Sequence, residues 1–159
     1  LFFFVPYLRF YMATLSISLQ STMLDQDVLC VTTVLPSYLF VFHLNRVLKL
    51  SLVRTKKDLL VKNCAGSFAV YEYDCDVMQQ TWRVVENQFV STAWSAQEAL
   101  FNETEERSLL FAGLSQTDLL VCVNGMTHGL IKKIRSISRV MSCSPLPKKL
   151  DKIKEKLTF

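Results

Sequence analysis

The feature that constrains the fold most is a run of five apolar residues, Leu119 to Val123, which lies between Asp118 and Asn124. A short apolar run with a polar residue at each end is typical of a strand that is buried on both faces in the middle of a sheet. A chain of 159 residues, half of them hydrophobic, is long enough to bury such a strand without disulfides or a metal. The sequence therefore predicts a central strand over residues 117–125.

Four other segments have the composition of strands. Residues 14–20 alternate apolar and polar side chains, as a half-buried strand does. Residues 27–34 are β-branched and almost continuously apolar, which indicates a more buried strand. Residues 67–73 and 81–91 are rich in aromatic and β-branched residues on either side of a polar connection, so they predict a hairpin with a long loop.

The apolar period changes after Pro36, where a helix is expected. Its buried stripe is predicted at helical spacing, at Phe40, Leu44, Val47 and Leu48. Pro36 suits the first turn because its nitrogen has no hydrogen to leave unpaired. His43 lies in the same segment, and we expect it to be a half-buried packing residue rather than a ligand or a base.

Helices are also expected in the second half of the chain. Ser95 and Glu98 form the S-x-x-E pattern of a capping box, which predicts a short helix over 95–107. Residues 146–157 have apolar residues at helical spacing and predict a terminal helix.

A strand-helix-strand order is expected just before that terminal helix. Residues 128–139 form the predicted helix, and 140–144 form a short return strand. With the central strand, these segments predict a β-α-β unit across 117–144. The apolar stripe of its helix is expected at Leu130, Ile134 and Ile137.

These elements predict a single α+β domain over residues 12–159. Its sheet is expected to be mostly antiparallel or mixed and covered by about three helices, with the βαβ unit and the terminal helix at the C-terminal end. Residues 1–11 are expected to be an extraneous or disordered segment that precedes a start at Met12. Their apolar run is interrupted by Pro6 and Arg9 and lacks the charged region and cleavage site of a signal peptide, so no membrane anchor is expected.

Cysteine usage indicates a reducing compartment. The five cysteines are an odd number, are scattered along the chain and include no C-x-x-C pair. A secreted disulfide framework usually shows an even count, so the cytoplasm is expected. Cys122 lies in the central apolar run and is expected to be a packing residue.

The charge distribution suggests one candidate interaction surface. The formal net charge is +4, but from Ile131 onward nine Lys and Arg residues face two acids. Such a basic segment can contact nucleic acid, an anionic lipid or an acidic protein face, and the alternative is two amphipathic helices with solvated, lysine-rich faces. The candidate surface consists of Lys132, Lys133, Arg135, Arg139, Lys148 and Lys149.

No catalytic, metal-binding or cofactor-binding constellation is predicted. The chain has only two histidines, His43 and His128, and none of the patterns G-x-G-x-x-G, G-x4-G-K-[ST] or H-E-x-x-H. The acids around residues 72–76 lack the ligand series and the glycine of a calcium loop. The sequence favours a protein that is not an enzyme and uses no cofactor. An unrecognised enzyme site would require a pocket that gathers His128, Asp118 and a cysteine.

Several segments, taken in order, resemble a small bacterial family named IPExxxVDY after its signature. The resemblance runs from about Leu24 to Phe159. It is carried by LDQDVLCVTTVLPSYLFVFHLNRVLKLSLVRTKKDL, YEYD, TDLLVCVNG, IKKIRSI and an ending similar to P-x-K-L-x4-E-x-L-x-F. Asp118 matches the signature aspartate, whereas Phe111 to Gly113 stand at the Ile-Pro-Glu positions. The resemblance implies a compact cytoplasmic bacterial domain with no assigned activity, cofactor or partner.

The expected function is binding rather than catalysis. The leading hypothesis is a non-enzymatic domain that acts through a protein partner or by self-association. The alternative is nucleic-acid binding through the basic C-terminal helices, and a membrane is not an expected partner. Asp118 is expected to cap a neighbouring turn or to mark the start of the central strand.

Overall fold

A six-stranded antiparallel sheet forms the centre of the fold. The computed structural model describes residues 26–60, 67–77, 79–93, 104–125 and 128–150. In chain order, the strands and helices of these ranges are β1 (Gln26–Thr33), α1 (Ser37–Leu48), β2 (Val53–Arg54), β3 (Leu59–Leu60), β4 (Ser67–Phe68), β5 (Val70–Cys75), β6 (Gln80–Glu86), β7 (Gln88–Ala93), β8 (Thr104–Leu109), β9 (Leu119–Asn124), α2 (Leu130–Arg135) and β10 (Val140–Pro145). Residues 112–114 and 148–150 form single 3-10 turns.

Strand β9 lies in the interior of the main sheet, whose strand order is β10-β1-β9-β6-β5-β2. Each pair of neighbours is antiparallel. All five residues from Leu119 to Val123 are buried, because both faces of the sheet are covered. The predicted central strand is confirmed, and so is a mostly antiparallel sheet in an α+β fold.

The predicted hairpin of residues 67–73 and 81–91 is present with shorter strands. β5 and β6 pair in antiparallel register, and residues 67–68 instead form β4, which pairs with β3. The segment 81–91 does not form one strand, because it is interrupted at Asn87. The residues after Asn87 belong to β7, which pairs with β8 in a separate two-stranded sheet.

The C-terminal elements follow the predicted order of strand, helix and strand, but the two strands are not neighbours. β9 and β10 pair with opposite edges of β1, and both run antiparallel to it. They are therefore parallel to each other, with β1 between them. The predicted β-α-β unit across 117–144 is not confirmed as a unit of neighbouring strands, because β1, whose residues Val28 to Val31 are all buried, occupies the position between β9 and β10.

The described ranges contain two α-helices, where the sequence predicts about three. The predicted helix over 95–107 is wrong at its C-terminal part, because residues 104–107 belong to β8. The pairing of β8 with β7 extends over six register positions, and this ladder includes residues 104–107. Of the predicted terminal helix, residues 148–150 form a 3-10 turn. Several predicted segments lie outside the described residues, namely 1–11, 14–20, 95–103 and 151–157.

Both α-helices pack on the same face of the main sheet, which we call the helix-covered face. Phe40 and Leu44 of α1 and Ile134 of α2 are fully buried there. They join one core with inward-facing strand residues, among them Leu29, Val31, Val84, Val121 and Val123. Because side chains alternate along a strand, these residues occupy every second position.

The other side of the sheet, which we call the loop-covered face, has no α-helix among the described residues packed on it. Irregular chain covers it and contributes Phe111, Leu114 and Leu146. The strand residues beneath them alternate with those of the helix-covered face and include Val28, Cys30, Val85, Leu120 and Cys122. The two faces are therefore buried by different kinds of structure.

Candidate functional site

Helix α1 has apolar residues on its exposed side as well as on its buried side. Phe40, Val41 and Leu44 face the core and are at most 4% exposed. On the opposite side, Tyr38 is 62% exposed and Phe42 is 57% exposed. Residues four apart are neighbours on a helix surface, so these two rings form one continuous ridge.

A second exposed ridge lies beside the first and follows Leu39, His43 and Val47. The rings of Phe42 and His43 meet edge to face, with centroids 5.5 Å apart. His43 is half-buried, as the sequence predicts. We define the outer face of α1 as the residues of the two ridges, Tyr38, Leu39, Phe42, His43, Arg46 and Val47.

The predicted buried stripe of α1 needs one correction. Phe40 and Leu44 are buried and Leu48 packs against the same core, but Val47 is 40% exposed. Val41 is buried in its place. The buried arc of the helix is centred close to Leu44, and Val47 lies at its margin, next to the exposed ridge.

The polar side chains of Asn45 and Ser37 in α1 make hydrogen bonds within the fold and do not form a solvated face. Asn45 is occupied by the main chain of Leu52: its Nδ2 donates to the carbonyl oxygen at 3.1 Å, and the Leu52 N–H donates to Oδ1 at 2.9 Å. The Ser37 hydroxyl lies 3.1 Å from that of Tyr71. A helix with one buried face normally presents a polar opposite face. The apolar outer face of α1 is therefore the strongest candidate for a binding surface.

An open cleft of about 540 Å³ begins where α1 starts. Three aromatic side chains line it, those of Tyr38, Tyr71 and Phe89. Its charged lining residues are Arg54, Asp58 and Glu86. We call it the α1-start cleft. Because Tyr38 belongs to both, the cleft is continuous with the outer face of α1.

The charges of this cleft do not balance. Arg54 Nη2 donates to both carboxylate oxygens of Asp58, at 2.9 and 2.8 Å. This hydrogen bonding to Asp58 is the main cause that raises the pKa of Arg54 above its ordinary value. Glu86 uses Oε2 to accept a hydrogen bond from the Ala69 N–H at 3.0 Å. The described lining residues thus include two carboxylates and one guanidinium, a formal charge of −1.

A second cleft of about 420 Å³ shares Asp58 with the first. Lys56, Lys57 and Glu72 are its other charged lining residues. None of its described lining residues is aromatic, and none belongs to the outer face of α1. The charges of these residues sum to zero.

Asn87 organises the chain that covers the loop-covered face. Its side chain is fully buried. Nδ2 donates to the carbonyl oxygens of Leu114 and Thr117, both at 2.8 Å, and Oδ1 accepts from the Phe111 N–H at 3.0 Å. One amide side chain therefore binds three backbone groups of the segment 110–118, whose regular structure is limited to the 3-10 turn of residues 112–114.

Asp118 holds the end of strand β1. Its Oδ2 accepts a hydrogen bond from the Thr33 N–H at 2.7 Å, and its own N–H donates to the Val31 carbonyl oxygen at 3.0 Å. Burial raises the pKa of this carboxyl group, against the opposing effects of the Thr33 N–H and the Arg107 charge. The geometry is that of a clamp at the start of the central strand.

The basic residues of the predicted interaction surface are all exposed but lie on two sides of the sheet. Lys132 and Lys133 are on α2, which packs on the helix-covered face. Lys148 and Lys149 form a turn whose neighbours Leu146 and Leu150 pack on the loop-covered face.

The two remaining residues of that predicted surface lie at the ends of the connection from α2 to β10. Arg135 donates through Nε and Nη2 to the carbonyl oxygen of Cys143, at 3.0 and 2.6 Å. This contact ties α2 to β10. Arg139 has a positive φ of 69° in the turn before β10. Sequence reasoning therefore grouped residues that the sheet separates.

The buried cysteines have the surroundings of packing residues. Burial raises the pKa of Cys122 to about 12 and that of Cys143 to about 11. Burial also raises the pKa of Cys30. Thiols with raised pKa values are poor nucleophiles at neutral pH. Cys122 is packed in the core as predicted.

The two clefts do not gather the residues of the hypothetical enzyme site. His128, Asp118 and the four described cysteines line neither of them. Within the residues that the structure describes, no group of three or more His, Cys, Asp or Glu side chains is placed to hold a metal ion.

Comparison with family models, curated proteins and solved structures finds no match to the chain. The resemblance to the IPExxxVDY family therefore stays a prediction from the sequence. In the described part of the chain, no helix has the length and apolar character needed to cross a membrane.

The sequence reasoning missed the outer face of α1, although one signal was available. Eight of the twelve residues of α1 are apolar or aromatic. A surface helix with one buried stripe needs three to four such residues per two turns. The excess indicates a helix with a second apolar surface to cover.

Proposed function

We propose that this chain is a protein-binding domain and that a partner protein docks on the outer face of α1. The observation that carries the proposal is the exposure of Tyr38 and Phe42 on a helix whose inner side is already buried. Exposed apolar patches mark interaction surfaces. Aromatic residues are enriched at the centres of protein interfaces.

A partner of different sequence suits this face better than a second copy. The 12 residues of α1 span about 18 Å, so two copies packed through this helix alone would bury far less than the roughly 1,600 Å² of a stable complex. Arg46 is exposed on the outer face, which carries no acidic residue. A second copy therefore has no complementary charge to offer at this surface.

The proposal places the domain in the cytoplasm and relates it to the IPExxxVDY family. The described cysteines Cys30, Cys75, Cys122 and Cys143 are free thiols, which supports a reducing compartment. The clamp made by Asp118 supports a structural role for the one signature residue that the chain retains. The two-sided placement of the basic residues favours protein binding over nucleic-acid binding.

Photo-crosslinking in the cells that express the protein tests this proposal. A photoreactive amino acid is introduced at Phe42 and, as a matched control, at Met141, which is 70% exposed on the edge strand β10. We expect a discrete adduct with another protein from position 42 and none from position 141. The additional substitution Tyr38→Asp should abolish the adduct.

Three outcomes would contradict the proposal. If position 42 gives no adduct, or if both positions give the same adducts, the outer face of α1 has no specific partner. An adduct with twice the 18.3 kDa mass of the chain would instead identify a second copy as the occupant.

A further inference from the structure

We infer that the α1-start cleft receives a basic side chain, lysine or arginine, of the partner that docks on the outer face of α1. The inference rests on the proposed function and adds the chemistry of the partner. Tyr38 is exposed on the outer face and also lines the cleft. A segment that lies along α1 therefore reaches the cleft without a gap.

The walls of the cleft suit the apolar stem and the charge of a basic side chain. Tyr71 is buried and its hydroxyl lies 3.1 Å from that of Ser37. The Phe89 ring is held edge to face against Phe68, with centroids 6.3 Å apart. Aromatic faces attract ammonium and guanidinium groups, and Tyr38 supplies a third ring at the rim.

The charge balance of the cleft favours a cation over an anion. Among the described lining residues, the one cationic side chain, Arg54, already binds both oxygens of Asp58. Glu86 belongs neither to the ion pair of Arg54 and Asp58 nor to that of Arg83 and Glu72. An incoming cation would neutralise the excess carboxylate, whereas an anion would have to displace Asp58 from Arg54 and approach Glu86.

The neighbouring lysines do not supply the missing charge. Lys56 and Lys57 line the second cleft together with Glu72, and only Asp58 lines both. Glu72 also forms an ion pair with Arg83, with Nε and Oε1 3.2 Å apart. Glu86 is therefore the carboxylate of the α1-start cleft that a partner's cation would meet.

Titration of the purified full chain with capped amino acids, followed by NMR, tests the inference directly. The probes are N-acetyl-lysine methylamide, its uncharged analogue N-acetyl-norleucine methylamide, and N-acetyl-glutamate methylamide. We expect saturable shifts of the Ala69, Tyr71 and Phe89 amide signals with the lysine probe. Binding of the norleucine probe should be about tenfold weaker, because it lacks the cation–π and charge contacts.

Two variants and one control connect this binding to the named residues. Glu86→Gln keeps an oxygen for the Ala69 N–H and removes the charge, so lysine binding should weaken about fivefold. Tyr38→Leu changes an exposed position, which protects the fold, and should weaken binding by a similar factor. Glu72→Gln, the matched control in the second cleft, should leave binding unchanged.

The results separate this inference from the proposed function. The inference that the cleft receives a basic side chain would be overturned by equal binding of the lysine and norleucine probes, by stronger binding of the glutamate probe, or by no effect of Glu86→Gln. Each of these results would count even if crosslinking at Phe42 still identified a partner. Lysine binding that depends on Glu86 without any adduct at Phe42 would instead overturn docking on the outer face and leave the charge preference of the cleft standing.

Discussion

The two faces of the main sheet show two ways to cover the same strands. On the helix-covered face, α1 and α2 contribute fully buried side chains such as Phe40, Leu44 and Ile134. On the loop-covered face, the segment 110–118 contributes fewer large side chains and is held by hydrogen bonds from Asn87.

This difference follows from where backbone hydrogen bonds are made. A helix satisfies most of its own N–H and C=O groups, so apolar contact is enough to hold it on a sheet. An irregular segment leaves such groups unpaired, and each unpaired buried group costs about 1–3 kcal/mol. Asn87 on the loop-covered face therefore serves the fold, whereas Tyr38 and Phe42 on the outer face of α1 are exposed and do not cover the sheet.

The largest expected effect comes from the helix-covered face. Phe40→Ala should lower the free energy of unfolding by about 4 kcal/mol, because it removes a fully buried ring and leaves a cavity. The matched control on the same helix is Phe42→Ala, which should change stability by less than about 0.5 kcal/mol. Urea denaturation followed by circular dichroism measures both. Equal losses would contradict the assignment of inner and outer faces.

Removal of the single side-chain amide of Asn87 should destabilise the loop-covered face. Asn87→Ala removes the side-chain partner of the Thr117 carbonyl oxygen and of the Phe111 N–H, whereas the Leu114 carbonyl oxygen still accepts from the Thr117 N–H. We therefore expect a loss of about 3 kcal/mol in unfolding free energy. Hydrogen exchange should report faster exchange of the Phe111 amide than in the unmodified chain. A loss below about 1 kcal/mol would show that hydrogen bonds do not hold this face.

Asp118 should have a smaller and pH-dependent effect. Asp118→Ala removes the acceptor of the Thr33 N–H and should cost about 1–2 kcal/mol at low pH. Burial raises the pKa of Asp118 above its ordinary 3.8, so the folded state holds this proton to higher pH than the unfolded chain does. The associated stability is present below pH 3.8 and is lost as the pH rises through the raised pKa.

Asp118→Asn separates the two contributions of this residue. The amide oxygen still accepts the Thr33 N–H, and the charge is absent. The variant should therefore lose less stability than the unmodified chain as the pH rises above about 3.8. Unfolding curves measured from pH 3 to pH 7 test this, and parallel pH profiles for both proteins would contradict it.

The smallest effect is expected for alkylation of the cysteines. Their modification shows how well each of the two faces excludes solvent. Cys143 packs on the helix-covered face and Cys122 on the loop-covered face. Their raised pKa values, about 11 and about 12, predict negligible alkylation by iodoacetamide at pH 8 in the native protein. Among the described cysteines, peptide mass spectrometry should find Cys75, which is partly exposed, modified first. Early modification of Cys122 would indicate that the loop-covered face opens.

Local patterns predicted several elements well. The apolar run from Leu119 to Val123 and the stripe of Leu130, Ile134 and Ile137 are buried, and so are residues 28–31 within the β-branched segment 27–34. These are patterns of spacing and composition that belong to one segment. The capping signal at Ser95 predicted a helix where residues 104–107 form a strand, because strand pairing with β7 involves residues distant in sequence.

The candidate site could be predicted only in part. The sequence shows that α1 is rich in apolar residues, but it does not show which of them the sheet covers. The basic residues form one group along the chain, yet the sheet places Lys132 and Lys149 on opposite sides. The α1-start cleft joins Tyr38, Asp58 and Glu86, whose separation along the chain leaves no local pattern to detect.

By itself, the sequence determined several of the strands and helices, among them β1, α1 and β9, because side-chain spacing along a segment is a local property. Tertiary structure alone decided that β1 lies between β9 and β10, that Asn87 supports the segment 110–118, and that Tyr38 and Phe42 stay exposed. Each of these features depends on contacts between backbone or side-chain groups that are distant in sequence. Burial and hydrogen bonding stabilise such contacts only once the whole sheet has assembled.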